Sequence, residues 1–184
     1  LCNIKDVQTV YKIKKALIYP TVLGMVIAVP VFADAISMIR TGEYPARMLV
    51  FASLFMTLFY LLSVNNLLKR VTITDTEIVF RSLFGTTRIP LDEITLIDGV
   101  TFKSRQFVTI SSKKKSSWVP NSYDAFPELL QTLESKASEG TIGQGFQEIK
   151  ANLVQRKGDI AVAWFVVLFL LLVIVVRAYQ HFAV

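Results

Sequence analysis

Three apolar runs decide most of what this chain can become. They are "ALIYPTVLGMVIAVPVFADAISMI" at 16–39, "MLVFASLFMTLFYLLSVNNLL" at 48–68 and "IAVAWFVVLFLLLVIVV" at 160–176. A helix that crosses a bilayer needs about 20 mostly apolar residues, because no water is there to satisfy open backbone groups. The third run is short but almost wholly Val, Leu, Ile and Phe, with Trp164 and Tyr179 near its ends as interfacial aromatics. With 53% hydrophobic residues and a mean hydropathy of +0.50, the 184-residue chain falls in the membrane class. The first run also reads as a signal peptide, with Lys5, Lys12, Lys14 and Lys15 ahead of it and Ala33-Asp34-Ala35 as a cleavage-like site. Its length favours the spanning helix. The chain begins at Leu and not Met, so an earlier start is expected. Cys2 stands alone, which excludes an internal disulfide.

The net charge of +6 and pI near 9.5 belong, in a membrane protein, to cytoplasmic flanks. Lysines crowd the N-terminal segment, Lys69 and Arg70 follow the second run, and Arg156 and Lys157 precede the third. The positive-inside rule therefore puts the N-terminus and residues 69–159 in the cytoplasm. The loop "RTGEYPAR" and the C-terminal tail fall outside, with Arg177 on the wrong side. The short loop makes helices one and two an antiparallel hairpin. Pro20 and Pro30 kink the first helix. Small residues offer close helix packing at Gly24, Ala28, Ala161 and Ala163, and the third helix is expected to pack against another protein chain, since the glycine-rich "EGTIGQG" fixes it to nothing; the alternative is that it touches lipid all round. Asp34 lies near the outer end of helix one; with no second ionisable residue inside the apolar runs, it reads as a solvated carboxylate and not a proton path.

Between the second and third runs the period changes to two. "RVTIT", "EIVFRS", "RIPLDEITLIDGVTF" (read as two strands broken at Asp98-Gly99), "QFVTISS" and "WVP" alternate apolar and polar residues between turn signals. Then "DAFPELLQTLESKA" puts Phe126, Leu129, Leu130 and Leu133 on one helical face, with Asp124 as the expected cap. Short strands followed by one amphipathic helix describe a small barrel plugged by that helix.

The stretch "VTITDTEIVFRSLFGTTRIPLDEITLIDGV", then "FVTISS", then the helix with Phe126 and Leu133, resembles the bacterial pleckstrin-homology-like (PH-like) domains of small membrane proteins. The likeness covers roughly residues 70–138 and rests on pattern, not on catalytic residues. It implies a seven-stranded barrel with a C-terminal helix, used for binding or assembly. The sequence has no arrangement matching the basic phosphoinositide pocket of eukaryotic relatives, so that site is not carried over.

The expected fold class is thus an α+β membrane protein: three transmembrane helices, with a cytoplasmic PH-like β-barrel and its C-terminal helix inserted between helices two and three. Its parts are a basic segment (1–15), a transmembrane hairpin (16–68), the PH-like domain (69–138), a linker carrying a candidate interfacial helix (139–159), and the third helix with an outer tail (160–184). The expected place is a bacterial inner membrane.

Residues 70–138 hold nine Lys/Arg against eight Asp/Glu, too balanced for a nucleic-acid partner. Lys113, Lys114 and Lys115, with Lys103 and Arg105 near them across a hairpin, are the candidate contacts for anionic membrane lipids; the alternative is a solvated turn that blunts a strand edge. The sequence holds one histidine, His181, and no metal cluster, phosphate-binding loop or nucleophile motif, so no catalytic residue, cofactor or metal is expected. The function expected is an accessory subunit docking to other membrane protein subunits or to itself. The alternatives are a transporter or channel-like subunit and a sensor of anionic headgroups.

The topology gives a direct test. With Cys2→Ser as background, Ser116→Cys is expected to react with an impermeant maleimide only from the cytoplasmic face, and Ala183→Cys only from outside. Labelling of position 116 in intact cells would reverse the orientation.

Overall fold

Helices form where the apolar runs lie. The computed structural model describes residues 8–42, 45, 47–103, 105–138, 140–154 and 157–182. Cys2, Lys5, Glu43, Arg156 and the side chain of His181 lie outside the described residues. Three helices are long and apolar enough to cross a membrane: α1 (Lys15–Arg40), α2 (Arg47–Leu68) and α5 (Lys157–Phe182). The fold is α+β. By its contacts the chain divides into two units, Leu1–Lys14 with Leu68–Arg156, and Lys15–Leu67 with Lys157–Val184.

In the helical unit the buried face of α1 is Pro20, Gly24 and Ala28, small or ring-locked positions on one side of the helix. The side chain of Val167, itself buried, sits against Gly24, where an added Cβ would meet its Cγ2 at 3.6 Å. A β-branched knob on a glycine is how apolar helices approach closely when lipid supplies no hydrophobic drive. Gly24 and Ala28 are both buried. Ala161 is exposed and Ala163 only half-covered, so the seam lies elsewhere on α5. The expectation that nothing fixes the third helix is corrected, for it packs on α1. Arg177 donates from Nε to Asp34 Oδ2 at 2.9 Å, also touches Met38 Sδ, and donates to Gln180 Oε1 at 3.1 Å. Asp34 is thus paired, not merely solvated, and its partner is the arginine that sat on the wrong side of the charge count. From α2, the Tyr60 hydroxyl donates to Met25 O at 2.6 Å.

The β unit has two antiparallel sheets. The first, ordered β1-β2-β3-β4, is built from β1 (Thr9–Lys12), β2 (Arg70–Ile73), β3 (Glu77–Ser82) and β4 (Gly85–Pro90). The second, ordered β5-β6-β7, has β5 (Ile94–Phe102), β6 (Arg105–Ser112) and β7 (Ser116–Pro120). A 3-10 turn at Leu91–Glu93 carries the chain from one sheet to the other. Beyond β1 and β7 the sheets meet at a corner, through Lys14 N to Ser122 O (3.1 Å) and Asp124 N to Lys12 O (2.7 Å). The seven strands make two sheets and not the closed barrel expected. One of the seven was read as a basic segment: "TVYK" pairs with β2, putting Tyr11 and Ile13 inside and Val10 and Lys12 outside.

The core is Val71, Ile73, Ile78, Ile89, Ile97, Val108, Ile110 and Val119, all near-fully buried. Helix α3 (Phe126–Lys136) lays Phe126, Leu129, Leu130 and Leu133 into it, as its periodicity required. Burying four such side chains contributes roughly 1.5–3 kcal/mol each. Asp124 does not cap α3; the cap is Ala125 in the left-handed region at φ 51°. The Asp124 backbone is instead committed to β1.

The candidate interfacial helix of the linker is α4 (Gln144–Ala151). Its apolar face is spent on the core: Phe146 and Ile149 are fully buried. Leu153 and Val154, just beyond the helix, are exposed. The preceding "TIG" adds to the edge of β5, with Ile97 N to Thr141 O at 2.7 Å and Gly143 N to Ile97 O at 2.8 Å. Glu134 of α3 binds Lys150 and Gln147 of α4. The Lys150 bond, then the Gln147 bond, hold its carboxyl below the usual carboxylate range, so this tie weakens as pH falls through that lowered value.

Strand β5 runs unbroken through Asp98-Gly99. Gly99 is there for a different reason than a turn. An added Cβ would lie 2.3 Å from Gly145 O, and one on Gly145 would lie 2.0 Å from Gly99 O. Backbone meets backbone, and only a missing side chain on each permits it. Gly99→Ala or Gly145→Ala is expected to destabilise the β unit by about 2–3 kcal/mol through overpacking that backbone cannot relieve. Ala125→Gly, relieving a positive φ, is expected to stabilise it by about 0.5–1 kcal/mol. Thermal melts of the purified chain followed by tryptophan fluorescence check both signs.

Candidate functional site

The register of the first sheet lines up like charges. Lys12 pairs with Arg70, and Arg70 with Arg81, so three adjacent strands bring a cation to one row on one face. All three are exposed, and none makes an ion pair among the described residues. Directly opposed like charges cost roughly 0.2–1 kcal/mol per pair. The folded unit carries this cost at the strand ends that lead into α1 and out of α2. Lys12 lies three residues before Lys15, the first residue of α1; Lys69 follows Leu68, the last of α2. Sequence reading missed the row because it missed β1. The signal was present in the alternation of "VYKI" at 10–13.

Beside the row the β3–β4 turn exposes Leu83 and Phe84, the latter 72% accessible. An open cleft of about 440 Å3 lies between this hairpin and β7. Lys69 and Arg81 supply its cations, Ser82, Thr86, Thr87 and Ser117 its hydroxyls, and Phe84, Trp118 and Tyr123 its aromatic walls. Cations and hydroxyl donors around an aromatic-walled opening suit an anionic group carried on an apolar body. Burial pushes the Tyr123 phenol up to about 12, so this wall stays neutral.

The second sheet shows an apolar outer face. Ile97, Val108, Ile110 and Val119 point inward, so their neighbours point out. Leu96, Val100, Phe102 and Trp118 are all well exposed there. Val100 is opposite Phe107, and Phe107 meets Trp118 edge to face at 6.0 Å.

The lysines proposed from sequence are not brought together. Lys103 and Arg105 lie at the β5–β6 turn, and Lys113, Lys114 and Lys115 at the β6–β7 turn. The eight-residue β6 separates these turns by roughly 25 Å. Lys103, at φ 55°, lies over the Phe102 ring at 5.8 Å. Lys115 donates to Arg88 O on edge strand β4 at 3.3 Å, while Lys113 and Lys114 are exposed.

Two buried amides were also unforeseen. Gln106, 1% exposed, donates from Nε2 to Asn152 O (2.6 Å) and accepts at Oε1 from Val154 N (3.0 Å). Asn121 donates from Nδ2 to Val154 O at 3.1 Å. Together with the Lys14–Ser122 bond and the Lys12–Arg70 pair, they bring all three connections to the apolar helices to one end of the β unit.

No protein-family model matches the chain, and no curated protein or solved structure is similar to it.

The raised Tyr123 value gives a pH test. Below the ordinary tyrosine value of about 10 both folded and unfolded states are neutral, and stability does not depend on this group. As pH rises from about 10 through about 12, the unfolded state ionises first and stability falls. Tyr123→Phe is expected to flatten that decline and to remove a late-titrating phenolate from the ultraviolet absorbance curve. An unchanged curve would place the late phenolate elsewhere.

Proposed function

We propose that this chain is a non-catalytic, membrane-anchored interaction module. Its three apolar helices cross a membrane, and its β unit, PH-like in kind, docks to another membrane protein subunit or to a second copy. The observation that carries the reading is the exposed apolar face of the second sheet, with Trp118 and Val100 on one side of a well-ordered ladder. Contiguous exposed apolar surface of this kind marks protein contact, and aromatic anchors carry most of the energy in such contacts. The PH-like reading draws support from four strands, then three, then a helix that fills the core. It departs from a plain PH-like order in setting the helical hairpin between the first and second strands. The pairing of Asp34 with Arg177 leaves the transport alternative without a free intramembrane carboxylate.

Assembly is expected to fail when this face is made charged. Val100→Glu with Trp118→Glu should weaken self-association or subunit association at least tenfold, which is about 1.4 kcal/mol, while leaving the melt of the β unit in place. Native mass spectrometry from lipid nanodiscs, with crosslinking from Val100→Cys in a Cys2→Ser background, reads this out. The same distribution of assemblies in wild type and variant would sink the reading, and solute flux through the reconstituted chain would favour a transporter.

A further inference from the structure

We infer that the strand ends and the β3–β4 turn form a bilayer-contact edge: Lys12, Arg70 and Arg81 bind the phosphates of anionic lipid headgroups, and Phe84 enters the interfacial layer beside them. This rests on the reading that the apolar helices cross a membrane.

Three observations converge on it. The first is the like-charge row. Cations opposed in register on three neighbouring strands repel, and no carboxylate among the described residues is paired with any of them. The sheet itself gains nothing from the arrangement; an external surface of negative charge would reverse its sign. The second is covalent reach. Arg70 is two residues beyond the end of α2 and Lys12 three before the start of α1, so each lies within about 10 Å of the end of an apolar span. A headgroup layer is about 5–8 Å deep, so side chains as long as these reach it from there. Chain connectivity alone holds Lys12 and Arg70 there. The third is the turn. Ser82 pairs with Gly85, so Leu83 and Phe84 alone cross between the strands, one residue past Arg81. Turns favour Gly, Asn, Asp and Ser; here the tip is two large apolar residues, and Phe84 is among the most exposed large hydrophobic residues described. A cation row with an apolar tip beside it matches a bilayer surface in order: phosphates, then the upper acyl layer. The neighbouring cleft, with Lys69 and the hydroxyls of Ser82 and Thr86, gives a headgroup further donors.

The lysine turn at 113–115 is a separate feature and has no part in this edge. Lys115 is engaged with the edge of β4, and the whole turn lacks the link to helix ends that covalent reach gives the row.

The test uses the full chain in proteoliposomes. A Cys2→Ser, Phe84→Cys chain carries an environment-sensitive probe at position 84, and brominated lipids serve as the quencher. Quenching is expected to be at least about threefold stronger in phosphatidylcholine mixed with phosphatidylglycerol than in phosphatidylcholine alone. It should fall to the phosphatidylcholine level at high salt and in Lys12→Gln, Arg70→Gln, Arg81→Gln, but not in Lys113→Gln, Lys114→Gln. The salt series needs no substitution in the row, so a triple variant that misfolds leaves the test intact. A probe equally open to aqueous iodide in both lipid mixtures overturns the inference. So does loss of the effect on adding inorganic phosphate at the same ionic strength, which would make a soluble anion the ligand. Alkaline carbonate extraction of the same liposomes separates the two readings. A chain that stays with the lipid while the probe stays in water defeats the edge alone, and a chain that is extracted defeats the spanning reading with it.

Discussion

The pairing of β1 with β2 is the constraint on which the rest of the structure depends. Four residues before the first apolar helix form the edge of a sheet whose next strand begins only after the second. Were the intervening chain flexible, closing that loop would cost about 4 kcal/mol in entropy. It is not flexible. The two helices are 26 and 22 residues long, roughly 39 and 33 Å, so a chain that goes out along one and back along the other returns close to where it began. A formed hairpin therefore presents Lys12 and Arg70 to each other nearly without loop cost, and Tyr11 and Ile13 bury into the core as the pair closes. The Tyr11 hydroxyl, 2.8 Å from Thr132 Oγ1, then ties the strand to α3. The β unit is complete only when both sides of the hairpin are in place.

The segment from β5 to the third helix follows the same logic by polar means. Gly99 and Gly145 let α4 approach the sheet backbone, and Gln106 and Asn121 hold residues 152–154 from a buried position. Each buried partner left unsatisfied would cost about 1–3 kcal/mol, so release of this segment is opposed several times over. What looks in sequence like a glycine-rich tether is an extension of the fold.

Elements with strong period were legible in the sequence, and elements defined by a partner were not. The apolar runs, the β3 and β6 alternations and the α3 face Phe126, Leu129, Leu130 and Leu133 each carry their own signal over several residues. The four residues of β1 do not, and four lysines nearby pointed to a topogenic flank instead of a strand. Gly99 was read as a turn because glycine after aspartate commonly is one; its real cause, the backbone of α4, lies 46 residues away in the chain. The separation of Lys103 and Arg105 from the 113–115 turn follows from β6 being a straight eight-residue strand, which the sequence did permit to be worked out. The cation row required knowing register across three strands, and register with β1 is set only by the fold.

The helical unit adds an internal argument about direction. Gly24 meets Val167, and ten residues later on each helix Asp34 meets Arg177. Ten residues rise about 15 Å. Contacts that advance together on both helices make α1 and α5 parallel, which is the sense the first and third of three successive spans must share. Neither contact alone would do this. The glycine seam brings the helices close, but in a bilayer it would allow sliding along apolar surface, since lipid contact is as favourable as contact with Val or Leu. The carboxylate–guanidinium pair is directional and costly to separate where water is scarce, so it fixes one register of that seam. An arginine that counted against the orientation when read as a lone charge becomes, with Asp34 beside it, the group that sets the alignment of the two helices.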